Sequence, residues 1–396
     1  MKQAQSPGRV EYVNNHIHTT YSFSPYTPSA AISAAKSAGL LTAGIMDHDT
    51  VAGATEFTRA GKAAGIATTV GLECRCSMSG TPFEGMRLNN PDQRSIAYFA
   101  LHGIPNCALS RVQEFITPYR AAREERGKLM TERLDEIFSP YGIELEFERD
   151  VKPISYSSLG GTITERHILF ALTSKLISSY GAGAPLLNFL SEHFGINVAG
   201  KLRETLEEPG TSHYQYYLLG LLKAFFIGMF YIDAKEELPH VTDFIKLAGE
   251  AGAIAAYPYL GDVRDSVTGD KKDAEFEDSY LDDLVAWLKT AGFHAITYMP
   301  TRNSPAQLTR LMALCEHYGF FQISGEDINT PFQSFICKAL EDPRYIHLVD
   351  STWALIGHER EASEDPGRGM FSHWSVADTP DLNKRIRKYA NIGRGQ

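Results

Sequence analysis

The sequence predicts an α/β fold on a parallel sheet, and seven strands joined by crossover helices fit a closed barrel. Three observations carry this reading. Short apolar or β-rich runs recur seven times. Helix-like patterns separate most of them. The alternation breaks once, between residues 110 and 240, where the pattern is helical throughout. The chain has 396 residues, 43% hydrophobic and 22% charged, which is ordinary globular composition and enough for a sizeable core without staples.

The strand-like runs are 10–15, 42–46, 66–72, 95–101, 252–257, 293–299 and 319–324. The helical patterns between them are 28–38, 50–64, 241–251, 278–291 and 304–317. Thr50 and Ser304 suit N-caps, and Pro28 and Pro305 suit helix openings. The interruption reads as helices 111–138, 164–180, 185–194 and 212–231. Within it, the apolar run 217–232 is too short for a bilayer and carries Lys223, so it reads as a buried helix. These elements divide the chain into a barrel (10–110 and 240–340), a helical insertion domain (111–239) and a C-terminal extension (341–396). Residues 361–381 of the extension look loop-like. The tail, with Lys384, Arg385, Arg387, Lys388 and Arg394, reads as a solvated basic segment, with anion or partner binding as its rival.

Composition narrows the function. A net charge of −10 argues against tracking a nucleic-acid backbone, although a local basic pocket stays open. Five scattered cysteines (Cys74, Cys76, Cys107, Cys315 and Cys337) argue against a secreted disulfide framework and for a reducing, cytoplasmic setting. The opening MKQAQSPGRV has no apolar core of a signal peptide.

Four motifs carry chemistry. His16-Ile17-His18 ends the first strand, and positions i and i+2 of a strand share a face, so two imidazoles converge where barrel enzymes build their sites. Two neutral nitrogens on one face suit a transition metal. Asp47-His48-Asp49-Thr50 follows the second strand, with one aspartate expected to cap the next helix while His48 points inward. Gly71-Leu72-Glu73-Cys74 ends the third strand and offers a carboxylate as ligand or base. Cys74-x-Cys76 has no second cysteine pair at zinc-ribbon spacing, which argues against structural zinc. Ser324-Gly325-Glu326-Asp327-Ile328-Asn329 ends the last strand, where Asp327 can reach the mouth.

In this order the motifs resemble the PHP superfamily of polymerase-associated and histidinol-phosphatase proteins, over about residues 10–332. The look is nearest to its small-molecule phosphoesterases with a helical insertion. HIHTTYS, MDHDTVAG and GLEC are similar to the family's first three motifs. ELPHVTDFIKLAGEAGAIAAYP looks like the approach to its His-Pro motif, and YMPTRNSPAQLTRLMALCEHYGFFQISGEDINTP like its last two strands. The resemblance implies a distorted (β/α)7 barrel with a helical insertion. It also implies a cluster of divalent ions (manganese, zinc, iron or magnesium).

Against the family pattern, Phe23, Ala97, Tyr257 and Asn329 stand where metal ligands are expected. The ligands of one metal all remain: His16, His18, Glu73 and Asp327. This implies one well-built site. Tyr257 and Asn329 are expected to point into its cavity. REERGKLMTERL and GTITERHILFAL resemble the basic stretches of the insertion, which makes Arg126, with Arg123 on the same helix face, Arg166 and His167 candidates for phosphate binding beside Asn329 and His102, against the rival of a solvated helix face. His48, Asp47 and Tyr257 are the candidates for proton transfer and water orientation. The reading is a metal-dependent phosphoesterase acting on a small phosphorylated, nucleotide-like substrate. Its alternative is a degenerate PHP scaffold that binds a phosphorylated ligand or partner with little hydrolysis. A mononuclear amidohydrolase is a weaker rival, because Tyr257 and Met299 do not supply its further histidines.

Overall fold

The structure, a computed structural model, describes residues 10–90, 92–265, 272–274 and 276–395. The reading of the first nine residues as lacking a signal segment lies outside that range. The seven expected strands form one sheet: β1 (Val13–Ile17), β2 (Thr42–His48), β3 (Ala67–Ser77), β4 (Ile96–His102), β5 (Ile254–Pro258), β6 (Ala295–Tyr298) and β7 (Phe321–Ser324), adjacent in that order. The ends meet where His18 N donates to Ile328 O (2.9 Å) and Ile328 N to His16 O (3.0 Å), just past β7. The result is a distorted (β/α)7 barrel with a large helical insertion.

One strand departs from the expected parallel sheet. β4 is antiparallel to both β3 and β5. A parallel neighbour requires a crossover, usually a helix, and the link from β3 to β4 contains none. β4 therefore returns beside β3 like the second arm of a long hairpin.

The barrel helices are α1 (Pro28–Ala38) and α2 (Ala54–Ala64) early in the chain. After the insertion come α8 (Val241–Ala251), α9 (Leu281–Ala291) and α10 (Pro305–Tyr318). Ser304 caps α10 through a reciprocal box with Gln307. Thr50 caps nothing: α2 starts four residues later, and the Thr50 hydroxyl donates to Gly160 O at 2.6 Å. The insertion comprises α3 (Leu109–Phe138), α4 (Glu165–Tyr180), α5 (Ala184–Phe194), the unforeseen α6 (Gly200–Glu207) and α7 (Tyr214–Phe230). It has its own apolar core, including Phe138, Leu172, Leu190 and Phe226. α7 buries one face of the apolar run and leaves Phe225 and Met229 exposed. Among the described residues, no helix is long and apolar enough to cross a membrane.

The extension corrects the reading of a loop and a solvated tail. It forms α11 (His347–Glu364), α12 (His373–Asp378) and α13 (Leu382–Arg394). The tail is amphipathic: Arg385, Tyr389, Ala390 and Gly393 are buried, while Lys384 and Arg387 face out. α13 packs along α11 at a glycine crossing, where a Cβ on Gly357 would strike the Tyr389 carbonyl and one on Gly393 the Trp353 carbonyl. α11 in turn seals the barrel, placing Ala354 and Leu355 with the interior residues Met46, Ala100, Ala256, Phe321 and Ile323.

Candidate metal centre

Strand parity decides which motif residues face the barrel interior. β1 bulges against β2 between Asn14 and Ile17, a local feature that re-aims side chains near sites. Asn14 and Asn15 hold the bulged strand: Asn15 Nδ2 donates to Ser324 O (2.8 Å) and Thr352 Oγ1 (2.7 Å), and Asn14 Oδ1 accepts from His16 N (2.9 Å). Gly325 permits the close approach of β7's exit, since a Cβ there would lie 2.7 Å from His16 Cβ. His16 and His18 then meet with their Nε2 atoms 3.2 Å apart. Glu73 Oε2 lies 3.7 Å from the first and 3.9 Å from the second. Asp327 Oδ1 stands 3.3 Å from His18 Nε2, and His48 Nδ1 3.2 Å from Glu73 Oε2.

The donor set fits a cation. Asp47 accepts from Thr19 N, Thr19 Oγ1 and Ser22 Oγ, each at 2.6 Å. Ser22 has spent its one proton there, so at 3.2 Å it accepts from His18 Nδ1. That fixes the proton on Nδ1 and leaves the Nε2 lone pair aimed at the cluster. Lone pairs from His18, Glu73 and Asp327 thus converge with no proton between them. Metal–nitrogen bonds of ~2.05 Å at tetrahedral angles put ligand atoms ~3.3 Å apart, close to the spacings here. His16, His18 and Glu73 are the one group of three such residues, among those described, with ligand atoms within 4.8 Å of one another. Burial opposes a charge on His16, but the Glu73 hydrogen bond and charge, with Asp327, outweigh it and raise its pKa. His48 is driven well below its usual value by burial, His18 and Arg123. Burial pushes the Asp327 carboxyl up, but the surrounding imidazoles and the Arg166 guanidinium outweigh it and hold it low.

Some expected participants stand elsewhere. Asp47 leaves the face of β2 opposite His48 and spends both oxygens on the loop after β1, so it is not poised to carry a proton. Neither Asp47 nor Asp49 caps α2; Asp49, at φ 51°, pairs with Arg123 of α3. Tyr257 points outward, the reverse of the expectation: it packs on Phe99 and donates to Glu277 Oε1 at 2.5 Å, while Ala256 takes the inward position. On β4 the inward residue is Tyr98, 5.8 Å from the His48 ring; Ala97 lies in the outer core. His102 follows the reversed β4 to the start of β5, paired with Ile254, and is buried with no partner for Nε2. Burial, then the His16 charge, lowers its pKa to about 3, so it is a neutral core residue away from the mouth. Cys74 and Cys76 also lie in the outer core.

The insertion meets the barrel through charges. Arg166 Nη1 donates to Asn329 Oδ1 (2.8 Å), and Asn329 Nδ2 to Asp327 Oδ1 (2.9 Å), so Asn329 ties α4 to the cluster. His167, in contrast, caps α4: its Nδ1 accepts from Thr164 N at 3.1 Å. Burial lowers its pKa to about 3, so it is neutral and offers an anion no charge. Phe23, at the position where the resemblance puts a ligand, packs edge-on against His167 and joins the insertion core. Arg126 spends Nε and Nη2 on Glu237 and Nη1 on Ile232 O (2.7 Å), which turns it to the buried carboxylate and away from the metal cluster. Arg75 also bonds Glu237 and donates to Tyr231 Oη at 3.1 Å. Arg75 Nε and Arg123 Nε are buried without an acceptor among the described residues, at a cost of roughly 1–3 kcal/mol each. Arg75 and Tyr98 escaped the sequence reading although both were findable. Arg75 shares the parity of Glu73, and a one-residue shift on β4 exposes Tyr98. Glu237 opens the ELPHV stretch quoted above, but nothing in its sequence context marked it as the partner of these arginines.

The PHP domain family matches residues 14–95, the segment that supplies His16, His18, His48 and Glu73. That segment is similar to a PHP domain. A solved structure from Bifidobacterium adolescentis, provisionally described as a metal-dependent phosphoesterase, is 20% identical with a TM-score of 0.53; the match covers 85% of this chain and 96% of that one. An amidohydrolase from Chromobacterium violaceum, solved with bound sulfate and no metal, is 16% identical with a TM-score of 0.54, covering 86% and 96%. At these identities the likeness is one of fold. No curated protein matches the chain significantly. The PHP segment and the His-His-Glu triad together give the chain the capacity to bind a divalent metal.

Proposed function

We propose that the chain is a metal-dependent phosphoesterase of PHP type, with one divalent ion held by His16, His18, Glu73 and Asp327. The observation that carries this reading is the convergence of the His16, His18 and Glu73 ligand atoms, with the His18 tautomer set by Ser22 and Asp47. Such an ion would supply Lewis acidity and water activation near neutral pH. Asp47 is a positioning residue: it fixes Ser22, and Ser22 fixes the ring of His18. His48, beside Glu73 and a quarter exposed, faces the cavity and orients water or the leaving oxygen. Arg166, steered by Asn329, stands at the rim to hold a phosphate. Tyr217 of α7 and Phe332 of the loop after β7 lie with ring centroids 4.3 Å apart, tilted by 37°, at the junction of insertion and barrel, an aromatic surface that supports a planar, nucleotide-like leaving group. The division into barrel, insertion domain (111–239) and extension (341–396) is part of this proposal, with the substrate entering between the first two.

The second reading, a scaffold that binds a phosphorylated ligand with little turnover, draws on Tyr257 facing outward and Phe23 filling the insertion core. Both positions withhold the ligands that further ions would need. One assay separates the two: phosphate esters, nucleotides and amides presented to purified protein with and without added metal. Metal-dependent release of phosphate supports the phosphoesterase. Tight phosphate-ester binding without release supports the scaffold.

A further inference from the structure

Below the rim lies a polar layer that the proposed chemistry does not use. Arg75 follows Glu73 by two residues on β3, so both side chains leave the same face. Tyr98 stands directly across from Arg75 in the β3–β4 register. α3 adds Arg123, whose Nε approaches the same Glu237 oxygen that Arg75 bonds. Arg75 and Arg123 are 5% and 7% exposed. Each keeps an orphaned Nε–H, although their terminal nitrogens are bound to Glu237, Tyr231 and Asp49. Tyr98 spends its backbone N–H and carbonyl on Asn89, and its hydroxyl bonds no described residue. The three guanidinium groups of Arg75, Arg123 and Arg126 face two carboxylates, Asp49 and Glu237, so this group of residues retains one positive charge.

Buried donors without acceptors persist where something else supplies the acceptor. A tetrahedral oxyanion has an oxygen for each of several donors, and guanidinium groups suit it in charge and geometry. We propose that Arg75, Arg123 and Tyr98 form an oxyanion subsite beside Glu73, built for one phosphoryl group of the substrate. The subsite rests on the phosphoesterase reading and deepens it. Fixed positive charge and hydrogen-bond donors take the place that additional cations would otherwise fill. Arg126 stays outside it, because each of its three nitrogens already donates, to Glu237, Ile232 or Met130.

The test is calorimetric titration of inorganic phosphate into the purified full chain, with metal content measured in parallel. Tyr98→Phe removes one hydroxyl and keeps the ring; it should weaken phosphate binding about 5–10-fold and leave metal content unchanged. Arg75→Lys keeps a charge but loses the Nε donor, and should weaken binding about 10-fold or more. If wild type binds phosphate and both variants bind it as tightly, the subsite is wrong while the phosphoesterase reading stands. If wild type neither binds phosphate nor releases it from any ester, the phosphoesterase reading fails and takes the subsite with it.

Discussion

Replacing Asp47 by Asn tests the link between a buried carboxylate and a metal ligand it never touches. Asp47 is 1% exposed and accepts three hydrogen bonds at 2.6 Å from Thr19 and Ser22. Asn keeps the shape and one acceptor, but turns an N–H₂ toward a donor and removes the charge. Bonds to a charged acceptor contribute ~1.5–3 kcal/mol each; the one from Thr19 Oγ1 is lost, and the two on Oδ1 weaken to the ~0.5–1.5 kcal/mol of neutral pairs. Burial dominates Asp47 and raises its pKa, so removing the charge recovers part of that loss. The net expectation is a destabilisation of about 2–3 kcal/mol, read from urea unfolding with unchanged slope. Losing the partner that orients a ligating histidine typically costs 10–100-fold in metal affinity. A competition titration against a chromophoric chelator should show a drop in that range. If stability falls while metal affinity holds, the Asp47–Ser22–His18 relay is misread. If neither changes, the hydrogen bonds assigned to Asp47 are not made.

Other substitutions probe the placements that sequence missed. His102 is neutral in the fold with a pKa of about 3, against ~6.5 unfolded, so its contribution is fully present above pH 6.5 and is lost as pH falls toward 3. His102→Leu should flatten the acid limb of a stability–pH profile by up to about 1.4 kcal/mol per pH unit in that window; an unchanged slope would place His102 in solvent. Gly357→Ala should destabilise by about 3 kcal/mol through overpacking at the α11–α13 crossing, and a thermal melt matching wild type would deny that contact. Tyr257→Phe should cost about 1–3 kcal/mol by stranding Glu277 but leave metal content untouched; loss of metal would return Tyr257 to the site.

Period and punctuation made the fold legible. The runs 10–15, 42–46, 66–72 and 319–324 appear as strands because apolar residues cluster between Gly, Pro and polar turns. The direction of β4 was not legible, since a strand's sequence carries no arrow and only the missing crossover helix hints at reversal. Within the site, the i, i+2 rule placed His16 with His18. One-residue parity failed at Ala97 and Tyr257, where the inward side chains belong to Tyr98 and Ala256; a shift of one flips a strand's face. Arg126 looked like a phosphate ligand because its neutraliser, Glu237, lies 111 residues away in an unremarkable linker. The tail was read from its charges, while Ile386, Tyr389, Ala390 and Gly393 already spaced a helix face.

Elemental analysis of the purified chain, with His16→Ala beside it, bears most directly on the central claim. One divalent ion per wild-type chain and loss of that ion in the variant is the expected result. Two or three ions per chain, or a content indifferent to His16, would contradict a single site built on His16, His18, Glu73 and Asp327.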